Sequence, residues 1–276
     1  MNVLKLAAFS QNGQGGNPAG VAFYDEMPSE SEMLAIAKEV GYSETAFLVK
    51  QADGWRVRYF APEMEVPFCG HATIALGAAL GERFGEGVYQ LYLNDSTISV
   101  HAEKSANGMS ATLQSPATWS EDAPQEYVDR ILTAFNLTKE QLDSRFPVRL
   151  AGAGAKHLII FVKERKALAE MSYPFEEVRA MMAEHGLVTI SLLWNESDDV
   201  FHSRNAFASG GVYEDPATGA AAAALAGYLR DIGWNRTSTF TILQGGDMGV
   251  PSRLTLSFTP KAGESVTVSG EVRHIE

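Results

Sequence analysis

The sequence predicts an α+β protein of two pseudo-symmetric lobes, each a curled, mostly antiparallel β-sheet or barrel around one buried central helix. Three observations carry this expectation. The chain echoes itself at long period, two helical segments are apolar on every side, and strand-like runs surround both of them.

The echo follows the order of the elements. Gly16-Asn-Pro-Ala-Gly-Val-Ala-Phe23 opens a strand, and Gly154-Ala-Lys-His-Leu-Ile-Ile-Phe161 opens another 138 residues later. A helix over 31–40 stops at Gly41, and its counterpart over 175–185 stops at Gly186. Each glycine stands where a helix C-terminus favours a left-handed residue. Short strands are predicted next, over 45–49 and 188–194. Phe60-Ala61 then leads to Cys69-Gly-His-Ala-Thr73 and a small-residue helix over 74–80. Phe207-Ala208 leads to Pro216-Ala-Thr-Gly-Ala220 and a second such helix over 221–229, at a spacing of 147. A helix without a polar face has to be enclosed, and thin side chains let a sheet approach closely. Runs at 55–60, 97–101, 240–243 and 254–258 carry the β-branched and aromatic residues expected of the enclosing strands.

Bulk composition narrows the function. The 276-residue chain is 45% hydrophobic and 20% charged, as a globular protein is. A formal net charge of −12 argues against a nucleic-acid partner and against an anionic membrane surface. The longest small-apolar stretch, 219–229, falls short of the ~20 residues that span a bilayer. The single cysteine, Cys69, excludes an internal disulfide; Lys5 interrupts a very short apolar run near the start, and 11–17 is polar, so a cytoplasmic location is expected.

Chemistry is expected at the starts of the two small-residue helices. Cys69-Gly70-His71 precedes one, and Asp215-Pro216-Ala217-Thr218-Gly219 precedes the other. Unpaired N–H groups and the helix dipole make each an anion site, and Gly70 and Gly219 allow close approach to the backbone. If the lobes face each other, the two sites converge on one cleft, which suits a small carboxylate.

Five blocks in order, Gly16-Asn-Pro-Ala-Gly-Val21, Ser43-Glu-Thr-Ala-Phe47, Val66-Pro-Phe-Cys-Gly-His-Ala-Thr73, Glu214-Asp-Pro-Ala-Thr-Gly219 and Gln244-Gly245 with Met248-Gly249 and Pro251-Ser252, resemble the successive motifs of the phenazine-biosynthesis (PhzF-like) isomerases. The resemblance implies a diaminopimelate-epimerase-like fold of two barrel-wrapped helices, usually a homodimer, without metal or organic cofactor. It implies an N-terminal lobe of 1–118 plus about 264–276, with a last strand returning near 266–272, and a C-terminal lobe of 119–263. By motif, Glu44 is the general acid/base, and His71 and Asp215 are polar partners around the reacting group. Asn17, Gly70, Ala72, Thr73, Thr218, Gly219 and Ala220 line the substrate pocket. Two departures stand out: Ala220 replaces the serine that commonly follows Thr-Gly, and Val250 replaces an arginine of the last block.

Read as residues, Glu44 precedes the apolar run Thr-Ala-Phe-Leu-Val, and its repeat partner near Thr189 is not acidic, so the fold does not require the carboxyl. That position suits a group that takes and returns a proton. Asp215 can equally serve as a helix N-cap, and His71 can equally be a packing residue. Cys69 stands where a thiolate is favoured, but the opposing position is Pro216, which excludes a two-thiol racemase and leaves Cys69 as a small buried residue. The glycines near 13–16 and 152–154 precede strands and form no dinucleotide fingerprint, and histidine spacing gives no metal signature. The expected activity is a cofactor-independent isomerase moving a proton on a small carboxylate substrate; a single-centre epimerase pairing Glu44 with Asp215, and a binding protein without turnover, are the alternatives.

Overall fold

The structure is a computed structural model that describes residues 3–234 and 237–275. It shows a mixed α+β fold with extensive sheet and few helices, divided into two compact units. The first contains Met1–Gln114, Val250–Arg253 and Ser269–Glu276; the second contains Ser115–Gly249 and Leu254–Val268.

In the first unit the chain runs β1 (Leu4–Ser10), β2 (Asn17–Tyr24), α1 (Glu30–Val40), β3 (Thr45–Lys50), β4 (Trp55–Phe60), β5 (Glu65–Val66), α2 (Gly70–Phe84), β6 (Gly87–Tyr92), β7 (Thr97–Ser105) and β8 (Gly108–Gln114). Strand β1 pairs antiparallel with β2, and β2 pairs parallel with β3 across the α1 connection. Strands β3 and β4 are antiparallel, β4 runs parallel to β6, and β6, β7 and β8 form an antiparallel meander. Helix α1 begins with a capping box between Ser29 and Glu32 and ends at Gly41, whose φ of 72° is left-handed. Its buried Met33 and Ala37 pack with Ala22, Phe47 and Phe60.

Helix α2 is the centre of this unit. Every residue from His71 to Gly81 is buried, and the helix packs against β1, β2, β3, β6, β7 and β8. Ile74, Leu76 and Leu80 are fully buried, each stabilising by about 1.5–3 kcal/mol. Gly77 and Gly81 let the strands close in, since a Cβ on Gly77 would lie 2.5 Å from Val100 Cγ2 and one on Gly81 2.8 Å from the Ala102 Cβ.

The second unit runs β9 (Trp119–Asp122), α3 (Gln125–Ala134), β10 (Arg149–Gly152), β11 (Lys156–Val162), α4 (Arg165–Ala169), α5 (Phe175–His185), β12 (Thr189–Asn195), β13 (Val200–Ala206), β14 (Glu214–Asp215), α6 (Gly219–Asp231) and β15 (Thr239–Gln244). Strand β16 (Ser252–Ser257) and strand β17 (Thr267–His274) each divide between the units. The order of pairings matches that of the first unit: β10 antiparallel to β11, β11 parallel to β12 across a helical connection, β12 antiparallel to β13, and β13 parallel to β15. Helix α6 is buried from Ala221 to Arg230 and packs on β9, β10 and β11. Helix α3 has no equivalent in the first unit; with α5 it covers a core of Tyr127, Ile131, Leu158, Ile160, Val178 and Met182.

Strand β17 returns to the first unit, where Leu6 pairs with His274 and Ala8 with Val272, and it also pairs β8. Among the described residues no helix is long and apolar enough to cross a membrane.

Candidate active site

The first unit gathers four polar side chains at the start of α2. Cys69 is the N-cap residue, and no side chain caps the helix. The first-turn N–H groups therefore lack the partner a serine or aspartate would supply, and the positive end of the helix dipole lies here. Glu44 is fixed one residue before β3. Its carbonyl accepts from the Gly20 N–H at 3.1 Å, and Thr45, next in line, pairs with Gly20 in the ladder. A side chain at position 20 would collide with Thr45, whose Oγ1 would lie 2.6 Å from the added Cβ, so glycine sets this register tightly.

His71 joins these groups. Its Nε2 lies 3.4 Å from Glu44 Oε2 and 3.2 Å from the Ser43 hydroxyl, and its Nδ1 lies 3.3 Å from Cys69 Sγ. The His71 side chain is 10% exposed and that of Glu44 20%. Glu44 Oε2 is itself buried and makes no hydrogen bond, so the imidazole is within ion-pair reach without a well-aligned bond. A buried carboxylate oxygen without a donor is costly, and such atoms mark places where a partner arrives from outside. Ser43 opens the motif Ser43-Glu-Thr-Ala-Phe47, but it is not among the expected site residues because only the fold brings it to His71, 28 positions away.

Of the other expected pocket residues here, Asn17 is 3% exposed, and Ala72 and Thr73 are wholly buried. The Thr73 hydroxyl donates to the Cys69 carbonyl at 2.7 Å and is 2.7 Å from the Tyr59 hydroxyl. Ala72 can thus meet a ligand only through its backbone N–H, whereas the Thr73 N–H already donates to the Cys69 carbonyl at 3.0 Å. Burial pushes the Tyr59 phenol well above its ordinary range, so it stays neutral.

The second unit carries the other expected group. Asp215 ends β14, where it pairs with Asn205 in the ladder. The N-cap of α6 is Thr218 rather than Asp215, and its side chain makes no capping bond; the Thr218 hydroxyl instead donates to Asp215 Oδ2. Gln244 binds both: its amide donates to the Asp215 carbonyl at 2.7 Å and to Thr218 Oγ1 at 3.1 Å, and its Oε1 accepts from the Thr218 N–H at 3.2 Å. Gln244 stands in the motif Gln244-Gly245, which was the available signal for its importance. Gly219 is buried and Ala220 partly exposed at the first turn.

Histidine spacing predicts no metal site, yet Glu44, Cys69 and His71 offer ligand atoms within 4.8 Å of one another, the one such group among the described residues. A spacing rule misses it because Glu44 arrives from a different strand.

Relatives matching nearly the whole chain bear the name of isomerases. The uncharacterized isomerase YddE of Salmonella typhimurium is 30% identical over 98% of this chain and 94% of its own length. The uncharacterized isomerase YfhB of Bacillus subtilis is 27% identical over 99% of this chain and 96% of its own. The chain is accordingly an isomerase. The model of the phenazine biosynthesis-like (PhzC-PhzF) family matches residues 6–274, and the chain belongs to that family. Its fold is similar to that of a Bacillus anthracis phenazine biosynthesis protein of the PhzF family, with a TM-score of 0.87 at 23% identity over 99% of this chain and 96% of that one. A hydroxyproline epimerase from Agrobacterium vitis, solved with bound trans-4-hydroxy-L-proline, shares the fold more distantly, at a TM-score of 0.62 and 11% identity over 99% of this chain and 88% of that one.

Proposed function

We propose that this protein is a cofactor-independent isomerase that moves a proton on a small carboxylate-containing substrate, with Glu44 as the general acid/base. The observation that carries this reading is the buried Glu44 Oε2, which lacks a hydrogen-bond donor and stands 3.4 Å from His71 Nε2 at an uncapped helix start. A carboxyl so placed can accept a proton from carbon and return it to another atom of the same molecule. The uncapped N–H groups at 70–72 and the helix dipole supply a seat for the substrate carboxylate. His71 stabilises or relays charge on the substrate. Asp215, held by Thr218 and Gln244, is assigned the matching role in the second unit through its motif. We read each unit as a barrel closed around its buried helix, α2 or α6, and the two as pseudo-symmetric lobes.

The test is proton exchange. Amino acids and hydroxy acids, including cyclic ones, are incubated with the protein in deuterated water and followed by NMR. The expected result is enzyme-dependent deuterium uptake with at least one of them, lost by about 10²–10⁴-fold in Glu44→Gln while binding persists. Near-normal turnover by Glu44→Gln would refute the assignment. A ligand that raises the melting temperature without any exchange would make the protein a binder instead.

A further inference from the structure

The three side chains gathered at the start of α2 are also the donor set of a thiophilic metal site. We infer that Glu44, Cys69 and His71 bind one Zn²⁺ ion, and that bound zinc blocks the proton chemistry of the same residues rather than serving it.

The donor types are those zinc selects: a thiolate, an imidazole and a carboxylate, three protein ligands with a fourth position left open. The separations fit as well. With zinc at its usual bond lengths, neighbouring ligand atoms of a tetrahedron stand about 3.3–3.6 Å apart. His71 Nε2 lies 3.4 Å from Glu44 Oε2 and 3.9 Å from Cys69 Sγ, and all three residues offer atoms within 4.8 Å. One edge already has the required length; the thiol, which lies 3.3 Å from His71 Nδ1, and the Cys69–Glu44 edge, within 4.8 Å, close on rotation of the Cys69 and Glu44 side chains.

Burial distinguishes this trio from a chance cluster of surface acids. Cys69 is 8% and His71 9% exposed, and Glu44 Oε2 is an acceptor with no donor. An ion would satisfy that oxygen. The helix start opposes a cation, but its effective charge is only about +0.5, against one full negative charge each on thiolate and carboxylate. The ion with its two anionic ligands is therefore neutral overall. Binding breaks the Cys69 S–H bond, forms the Zn–S bond and releases the proton to solvent; nothing is oxidised or reduced. Once Glu44 Oε2 and the imidazole are ligands, neither can accept a proton, so occupancy and proton transfer exclude each other. That consequence rests on the function proposed above, whereas the binding does not.

The experiment uses the full chain with Zn²⁺ in equilibrium dialysis and Co²⁺ as a spectroscopic substitute. One zinc per chain is expected, with tetrahedral cobalt d–d bands and a thiolate-to-cobalt charge-transfer band. Cys69→Ser should abolish the charge-transfer band, and Cys69→Ser and Glu44→Gln should each weaken zinc binding by at least ~10²-fold, with folding checked by circular dichroism. If Cys69→Ser fails to fold, Glu44→Gln alone decides. Zinc uptake that is absent from the wild type, or unchanged in a folded variant, overturns the site. Zinc binding at these residues in a protein that exchanges no substrate proton upholds this inference and counts against the isomerase assignment alone.

Discussion

Replacing Gly77 by alanine tests how closely the strands of the first unit hold α2. Two effects compete. Alanine in a helix interior is favoured over glycine by about 1 kcal/mol. Against that, the added methyl would stand 2.5 Å from Val100 Cγ2, 3.0 Å from the Ala111 Cβ and 3.3 Å from Val100 Cγ1, where carbon atoms prefer about 3.5–4.0 Å. Turning Val100 exchanges one crowded methyl for the other, and Ala111 has no rotamer to change, so the backbone of β7 or β8 has to move. Overpacking of this kind costs about 1–3 kcal/mol. The sum is a net loss near 1 kcal/mol, or a melting temperature about 2–4 °C lower for a chain of this size. Thermal melts by circular dichroism, backed by urea titration, measure it. A Gly77→Ala protein that melts higher than the wild type, by the full helical gain, would refute the close packing of α2.

Other substitutions probe separate parts of the molecule. Arg204 and Glu214 form a buried bidentate pair in the second unit, with side chains 11% and 4% exposed; Glu214→Gln leaves the guanidinium without its counter-charge and should cost about 3–5 kcal/mol in denaturant titration, whereas a loss under ~1 kcal/mol would show the pair to be solvated. His157 is fully buried, and burial lowers its pKa to about 3, so it stays neutral in the fold while the unfolded chain takes up a proton below about pH 6.5. Stability should therefore fall with pH from about 6.5 to 5 by roughly 1.4 kcal/mol per unit, a slope that His157→Gln removes; an unchanged slope in the variant would assign it elsewhere. Cys69→Ala should retain most turnover once a substrate is known, and a loss matching that of Glu44→Gln would place the thiol in the reaction.

The parts of the fold legible in the sequence are those whose residues leave no alternative. Helices α2 and α6 lack a polar face, so enclosure follows from composition, and α1 and α5 end at glycines that are left-handed in the structure. Helix α3 falls outside an expectation built on the internal echo because it has no counterpart in the first half. Its own signal was present, since Tyr127, Val128, Ile131 and Leu132 stand at helical spacing on a buried face. At the site, Glu44 was legible as an acid that no packing role requires. Its relation to Ser43, His71 and Cys69 depends on rotamers and on the meeting of β3 with α2, which no spacing encodes. The motif Asp215-Pro-Ala-Thr218 leaves open which side chain begins the helix; the start at Gly219 makes Thr218 the cap, and its hydroxyl turns to the Asp215 carboxylate.

The return of β17 bears on how the protein is made. Strand β1 takes β2 as one neighbour, and its other ladder is with residues 271–274, more than 260 positions later in the chain. Until those residues are made, the first strand presents an open edge of apolar sequence, Leu6 to Phe9, which in the folded molecule is almost fully buried. Pairing partners more than 260 residues apart also place this protein among slowly closing topologies. A nascent chain, or one that stops short of residue 271, should then be a preferred client of chaperones. Loss of residues 271–274 would unseal the unit that holds Glu44 and His71.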